Sequence, residues 1–177
     1  MQHIFKSEFP TFSAAETELH SAAKAAGFSL LVMTKKPNAT APRRAVFRCC
    51  KSRKYASQSA EGVHVTKKRK TRTQMTECPF KIALKLMRGS GGGEVWVVEG
   101  VKGDNCAQHN HIFSPPQTFS HYRRNTLLKL TDTIITRWNT GTRPMHILLE
   151  LQSDPDPVVR ATTRHNLRNL LNKYRTE

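Results

Sequence analysis

Two histidines one residue apart, His109 and His111 in the stretch GDNCAQHNHIF, constrain this chain more than any other feature. On extended backbone, residues i and i+2 point to the same side, so both imidazoles can face one ion. The cysteines lie far upstream. Cys49 ends one predicted strand, Cys78 precedes the next, and the histidine pair follows a third. A small antiparallel sheet would gather these strand ends into a Cys2His2 set with the spacing C-x28-C-x30-H-x-H. Such a set suits zinc, which takes four sulfur or nitrogen ligands near a tetrahedron. The plain alternative is that both histidines are exposed loop residues, because zinc motifs are normally tighter. A small sheet laden with charge buries too little apolar surface to stand unaided, however, which favours a metal staple. Alternation places Cys49 on the face of Phe47 and leaves Cys50 to start the loop, so Cys49 is the preferred first ligand. Cys50 stays open as its replacement. Cys106 is a weaker competitor for the place of Cys78 or a histidine, and otherwise a free thiol.

The strands that carry these residues are visible as patterns. Residues 28–34, FSLLVMT, and 44–49, RAVFRC, are predicted strands, and Lys35-Lys36-Pro37-Asn38 breaks the first. In PFKIALKLM, residues 79–87, Phe80, Ile82, Leu84 and Leu86 share one face while Lys81 and Lys85 take the other. That period of two marks a half-buried strand. The turn RGSGGG leads to EVWVVEGV, residues 94–101, as a hairpin partner. A helix is expected over residues 13–26, with Ser13 and Glu16 as a capping box and Gly27 as its end. The expectation is therefore an α+β fold: a four-stranded antiparallel sheet stapled by zinc, an N-terminal helix, and a helical module behind.

That module begins after Ser114-Pro115-Pro116. Residues 122–138 carry Leu127, Leu130, Ile134, Ile135 and Trp138 at helical spacing. A short helix over 144–152 starts with Pro144 in its first turn, and a last helix is expected over 157–174. The apolar stripe predicts a local core, or else a surface for a homodimer or protein partner. The last helix also carries Arg160, Arg164, Arg168 and Lys173 about one turn apart, a row that could lie along a DNA backbone. The expected organisation is a helical extension over 1–26, a zinc-binding domain over 27–113, a linker over 114–121 and the helical module over 122–177.

Charge points to the partner. The net charge is +16, and between Lys35 and Arg88 sixteen Lys or Arg residues face just two acids, Glu61 and Glu77. A field so concentrated attracts a polyanion, and neutralised phosphates release condensed counterions. Double-stranded DNA is the expected partner. No run of 18 apolar residues exists, so no membrane span is expected. The N-terminus shows no basic segment followed by an apolar stretch, so no secretory signal and no disulfide framework are expected. Lys67, Lys68, Arg69 and Lys70 form a basic run that suits nuclear import, phosphate contact, or both.

The segments AVFRCCKSRKY, KKRKTRTQMTECPFKIALK, EVWVVEGV and HNH, in this order, resemble the FAR1-type DNA-binding domain, a branch of the WRKY–GCM1 zinc-finger superfamily. The resemblance runs from about residue 27 to 112. It implies that Cys49, Cys78, His109 and His111 hold a structural zinc ion. It implies a sheet that sets one strand edge into the DNA major groove. The DNA-reading strand of WRKY proteins matches GFSLLVMTKKPN in position, although the WRKY heptad is absent, and Cys106-Ala107-Gln108 stand where an acidic or glycine-bearing segment usually precedes H-N-H. DNA contacts are expected from Lys35, Lys36, Arg43, Arg44, Arg53, Lys54 and Tyr55, and from Lys67 to Lys70. FAR1 domains open Mutator-like transposases and occur in transcription regulators derived from them. The helical segment after the finger is loosely similar to the one in those transposases. Their catalytic part needs three carboxylates on a core of alternating strands and helices, and no such pattern is visible here. No enzymatic activity is expected, and a nuclease of the HNH type is the enzymatic alternative.

Overall fold

The computed structural model of the 177-residue chain describes residues 4–5, 7–54, 74–89, 91–103 and 105–174. Tyr55, Lys67, Lys68, Arg69 and Lys70 lie outside the described residues. The chain forms two compact units, Met1–Phe113 and Ser114–Glu177. The architecture is α+β, with an antiparallel sheet in the first unit.

In the first unit a short strand, β1 (Glu8–Phe9), precedes helix α1 (Phe12–Ala25). Four longer strands follow: β2 (Leu30–Lys36), β3 (Arg44–Cys49), β4 (Lys81–Arg88) and β5 (Glu94–Gly100). They form one five-stranded sheet in the order β1-β5-β4-β3-β2. The four expected strands are present. The fifth, β1, is two residues long and pairs Glu8 with Val97 and Phe9 with Trp96. So short a strand carries no alternation from which to predict it.

Helix α1 starts one residue earlier than the sequence suggests. Thr11, not Ser13, caps it, and its hydroxyl accepts from the Ala14 amide at 3.2 Å. Gly27, at φ 81°, then turns the chain out of the helix, a conformation that glycine adopts without a Cβ clash. The helix buries Ala15, Leu19, Ala22 and Ala23 against one face of the sheet. That face is built from Leu30, Ala45, Phe47, Ile82, Leu84, Trp96 and Val98, the inward positions of strands with period two. The helix thus belongs to this core.

Strand β2 is the other edge of the sheet. Its register with β3 slips at Met33, between Val32 and Thr34, as a β-bulge does. Leu31, Val32 and Met33 are exposed.

The second unit holds a 3-10 turn at Pro116–Thr118 and five helices. The helix expected over 122–138 is two: α2 (Ser120–Lys129) and α3 (Thr131–Asn139). The Thr131 hydroxyl donates to the Leu127 carbonyl at 3.3 Å, a bond back to residue i−4 that bends helical backbone, and the chain turns at Leu130. Helix α4 (Pro144–Gln152) spans the expected residues. The last helix is also two, α5 (Pro157–Arg160) and α6 (Arg164–Lys173). Thr163 forms a complete capping box with Asn166, which restarts the helix within what periodicity alone reads as continuous. The core of this unit gathers Leu127, Ile134, Ile147, Leu148, Leu151, Val159, Leu167, Leu170 and Leu171.

Candidate metal centre

Four side chains separated by up to 62 residues meet at the end of the sheet. The Cys49 Sγ lies 3.2 Å from His111 Nε2, the Cys78 Sγ lies 3.4 Å from His109 Nδ1, and the two histidine nitrogens are 3.2 Å apart. All four ligand atoms fall within 4.8 Å of one another. A tetrahedral ion with bonds of about 2.0–2.3 Å separates its ligand atoms by roughly 3.3–3.8 Å, so the cluster has the size of a coordination shell. These residues can hold a metal ion. Among the described residues, no carboxylate belongs to the cluster, and neither Cys50 nor Cys106 does.

Each ligand is placed by its element. Cys49 is the last residue of β3, and its amide donates to the Phe80 carbonyl at 3.2 Å, just before β4. Cys78 enters through a loop whose register is set by Lys51: the Lys51 carbonyl accepts from the amides of Thr76, at 3.0 Å, and Cys78, at 3.3 Å. The histidines point to one side of their segment and Asn110 to the other. Asn110 grips Thr76 twice, its Nδ2 donating to the Thr76 carbonyl at 2.7 Å and its Oδ1 accepting from the Thr76 hydroxyl at 3.0 Å. The middle residue of H-N-H therefore ties the histidine segment to the loop that delivers Cys78.

The surroundings set protonation. The His111 Nδ1 lies 3.0 Å from the Ile112 carbonyl; donating there leaves the Nε2 lone pair free for an ion. The His109 ring stacks on Phe80 at 4.1 Å and tilts against Phe28 at 4.4 Å. Its Nε2 is buried without a hydrogen-bond partner. Burial, with a smaller contribution from the nearby His111, holds His109 down to about 4, so it stays neutral at ordinary pH as a metal ligand must. A hydrogen bond with Cys50, then burial, pushes the Cys49 thiol up, while receiving that bond draws Cys50 down to about 7. A cation at the cluster would reverse this order by displacing the Cys49 proton.

The other expected site residues are distributed unevenly. Lys36 and Arg44 stand exposed beside each other on β2 and β3. Lys35 is turned to the helix side, its Nζ 4.5 Å from the centre of the Phe12 ring. Arg43 forms an exposed ion pair with Glu94 at 2.8 Å. Arg53 and Lys54 are exposed. Three cations absent from the expected set join Lys36 and Arg44 on the uncovered face: Arg48, Lys81 and Lys85. The alternation that put Lys81 and Lys85 opposite Ile82 and Leu84 was the signal for them.

No family model, curated protein or solved structure matches the chain. No helix among the described residues is long and apolar enough to cross a membrane.

Proposed function

We propose that the first unit is a zinc-stapled module that binds double-stranded DNA with sequence preference, as the likeness of its motifs to FAR1-type domains implies. The chain would act in the nucleus, as a transposase-derived regulator or as the DNA-binding part of a Mutator-like transposase. The observation that carries this reading is a stack of like charges across the sheet. Lys36 stands opposite Arg44, Arg44 opposite Lys85, and Arg48 opposite Lys81. Directly opposed like charges destabilise a sheet by a few tenths of a kcal/mol each, so two such rows are a cost to folding. A polyanion laid on this face removes that cost. Glu99 lines the shallow depression beside Arg44 and Lys85 yet forms no ion pair with either. The buried Nε of Arg48 has no hydrogen-bond partner.

The neighbouring edge suits a groove. Strands β2 and β3 make a ribbon narrow enough for the major groove, and exposed Leu31, Val32 and Met33 can meet base edges while the cation rows meet phosphates. Cys49, Cys78, His109 and His111 would hold zinc. With all four places filled by protein, the ion is structural, and no position is left for water or substrate. The nuclease alternative loses support for the same reason, and because Asn110 is spent on Thr76.

The test is binding of the full chain to a labelled mixed-sequence duplex over a range of salt. A triple substitution Lys36→Ala, Arg44→Ala, Lys85→Ala is expected to reduce the slope of log affinity against log salt by about 2.7, near 0.9 for each phosphate no longer neutralised. Failure of the wild-type chain to bind duplex, or an unchanged slope in the variant, would contradict the proposal.

A further inference from the structure

Helix α6 stands as a ridge between two grooves in the helical unit, of about 710 and 640 Å³. Its buried side is Leu167, Leu170 and Leu171. At 100° per residue, the direction opposite those leucines is occupied by His165, Asn169 and Asn172, all exposed. These three form a crest of hydrogen-bonding groups, with the Asn169 amide 3.0 Å from His165 Nε2. The shoulders are cationic. Arg164 and Arg168 line the first groove together with Arg143 from the start of α4. Lys173 lines the second with Arg124 from α2. The carboxylates described in this unit, Asp132, Glu150, Asp154 and Asp156, line neither groove. Among the described residues no ion pair engages any of these five shoulder cations.

We infer that α6 is a second DNA-contacting element, a helix that enters the major groove with its asparagine crest toward base edges and its shoulders toward the two backbones. Asparagine pairs bidentately with adenine in that groove, and arginine and lysine fix register on phosphate. A helix without acids, cationic on both flanks and amide-bearing along the middle, has the charge complementary to a groove between phosphate rows. The Thr163 capping box fixes where the helix begins, and hence which residues form the crest. An acidic amphipathic peptide would also meet arginines here, and the first groove offers it an apolar seat among Trp138, Met145 and Leu148, but such a peptide leaves the amide crest unused, whereas a duplex engages crest and shoulders together. This inference rests on the reading that the chain binds duplex DNA.

The experiment uses the full zinc-loaded chain and a pool of duplexes with a randomised core. All substituted side chains are exposed, so the fold is retained, which circular dichroism checks. Arg164→Ala with Arg168→Ala is expected to lower the salt slope by about 1.8, two phosphates at about 0.9 each. Asn169→Ala with Asn172→Ala is expected to leave the slope unchanged and to remove preference for adenine at one or two positions of the selected site. Variants that match wild type in both slope and selected site overturn the inference while leaving the sheet unit's role standing. So does loss of binding to a helical acidic peptide with DNA binding intact, which would assign the ridge to a protein partner. A wild-type chain that binds no duplex at all overturns both.

Discussion

In the sheet unit, two of the buried core side chains, Cys49 and Cys78, are also thiols of the candidate metal centre. The core of the helical unit, built on residues such as Leu127, Ile134, Ile147 and Leu167, contains no cysteine or histidine. The first unit brings together residues from three separate stretches of chain, and its sheet carries rows of opposed positive charge. The second is made of short helices that supply their own caps at Asp156 and Thr163. The contrast teaches where each fold's cohesion resides. In the sheet unit the buried core runs into a cluster that can hold an ion, whereas the helical unit rests on leucine packing and local hydrogen bonds.

The sharpest way to break that contrast is Cys78→Ser. Binding of structural zinc to small domains is worth roughly 10–16 kcal/mol at neutral pH and is itself folding energy. The substitution is therefore expected to melt the sheet unit and abolish DNA binding, while the helical signal of residues 114–177 persists in circular dichroism and amide exchange. The converse substitution is Ile147→Ala, at a side chain only 2% exposed. It should cost the helical unit about 2–5 kcal/mol in denaturant unfolding and leave metal uptake unchanged. Asn110→Ala removes both bonds to Thr76 but no metal ligand. It should weaken metal affinity about 10–100-fold in a competition titration, as removal of a supporting partner does. Thr163→Ala removes the α6 cap and should cost about 1 kcal/mol in the helical unit alone.

Acid sharpens the same comparison. His109 titrates near 4 in the folded sheet unit, below the usual 6.5, because burial disfavours its charged form. The unfolded chain takes up this proton first as pH falls. The stabilising contribution is thus complete above pH 6.5 and is lost on descending toward 4. Zinc release, followed with a metal indicator, should therefore set in as pH falls through that window, and the circular-dichroism signal of the sheet should be lost with it.

Much of the sheet unit is legible in the sequence because its strands alternate cleanly. Alternation alone puts Phe47, Ile82 and Leu84 inside and Lys81 and Lys85 outside. The four clustered ligands are legible for a related reason: Cys49 ends β3 and Cys78 stands three residues before β4, while the histidine pair, nine residues past the end of β5, is marked by its own H-x-H spacing. What escaped the pattern was short or depended on a hydroxyl. Strand β1 has two residues and no period. The breaks at Leu130 and Thr163 come from threonine hydroxyls bonding to backbone, which apolar periodicity does not register. The roles of Asn110 and of Arg43, tied to Thr76 and Glu94, depend on partners 34 and 51 residues away, and no local pattern supplies them.

On the proposed zinc reading, cohesion of the sheet unit turns on one ion shared by Cys49, Cys78, His109 and His111. Metal content of the purified full chain, followed by cobalt replacement and visible absorption, tests this most directly. One equivalent of zinc per chain is expected, with a tetrahedral cobalt spectrum that carries thiolate charge-transfer bands, both lost with His111→Ala. A chain that retains no zinc, shows no tetrahedral cobalt spectrum and melts identically with and without chelator would contradict it.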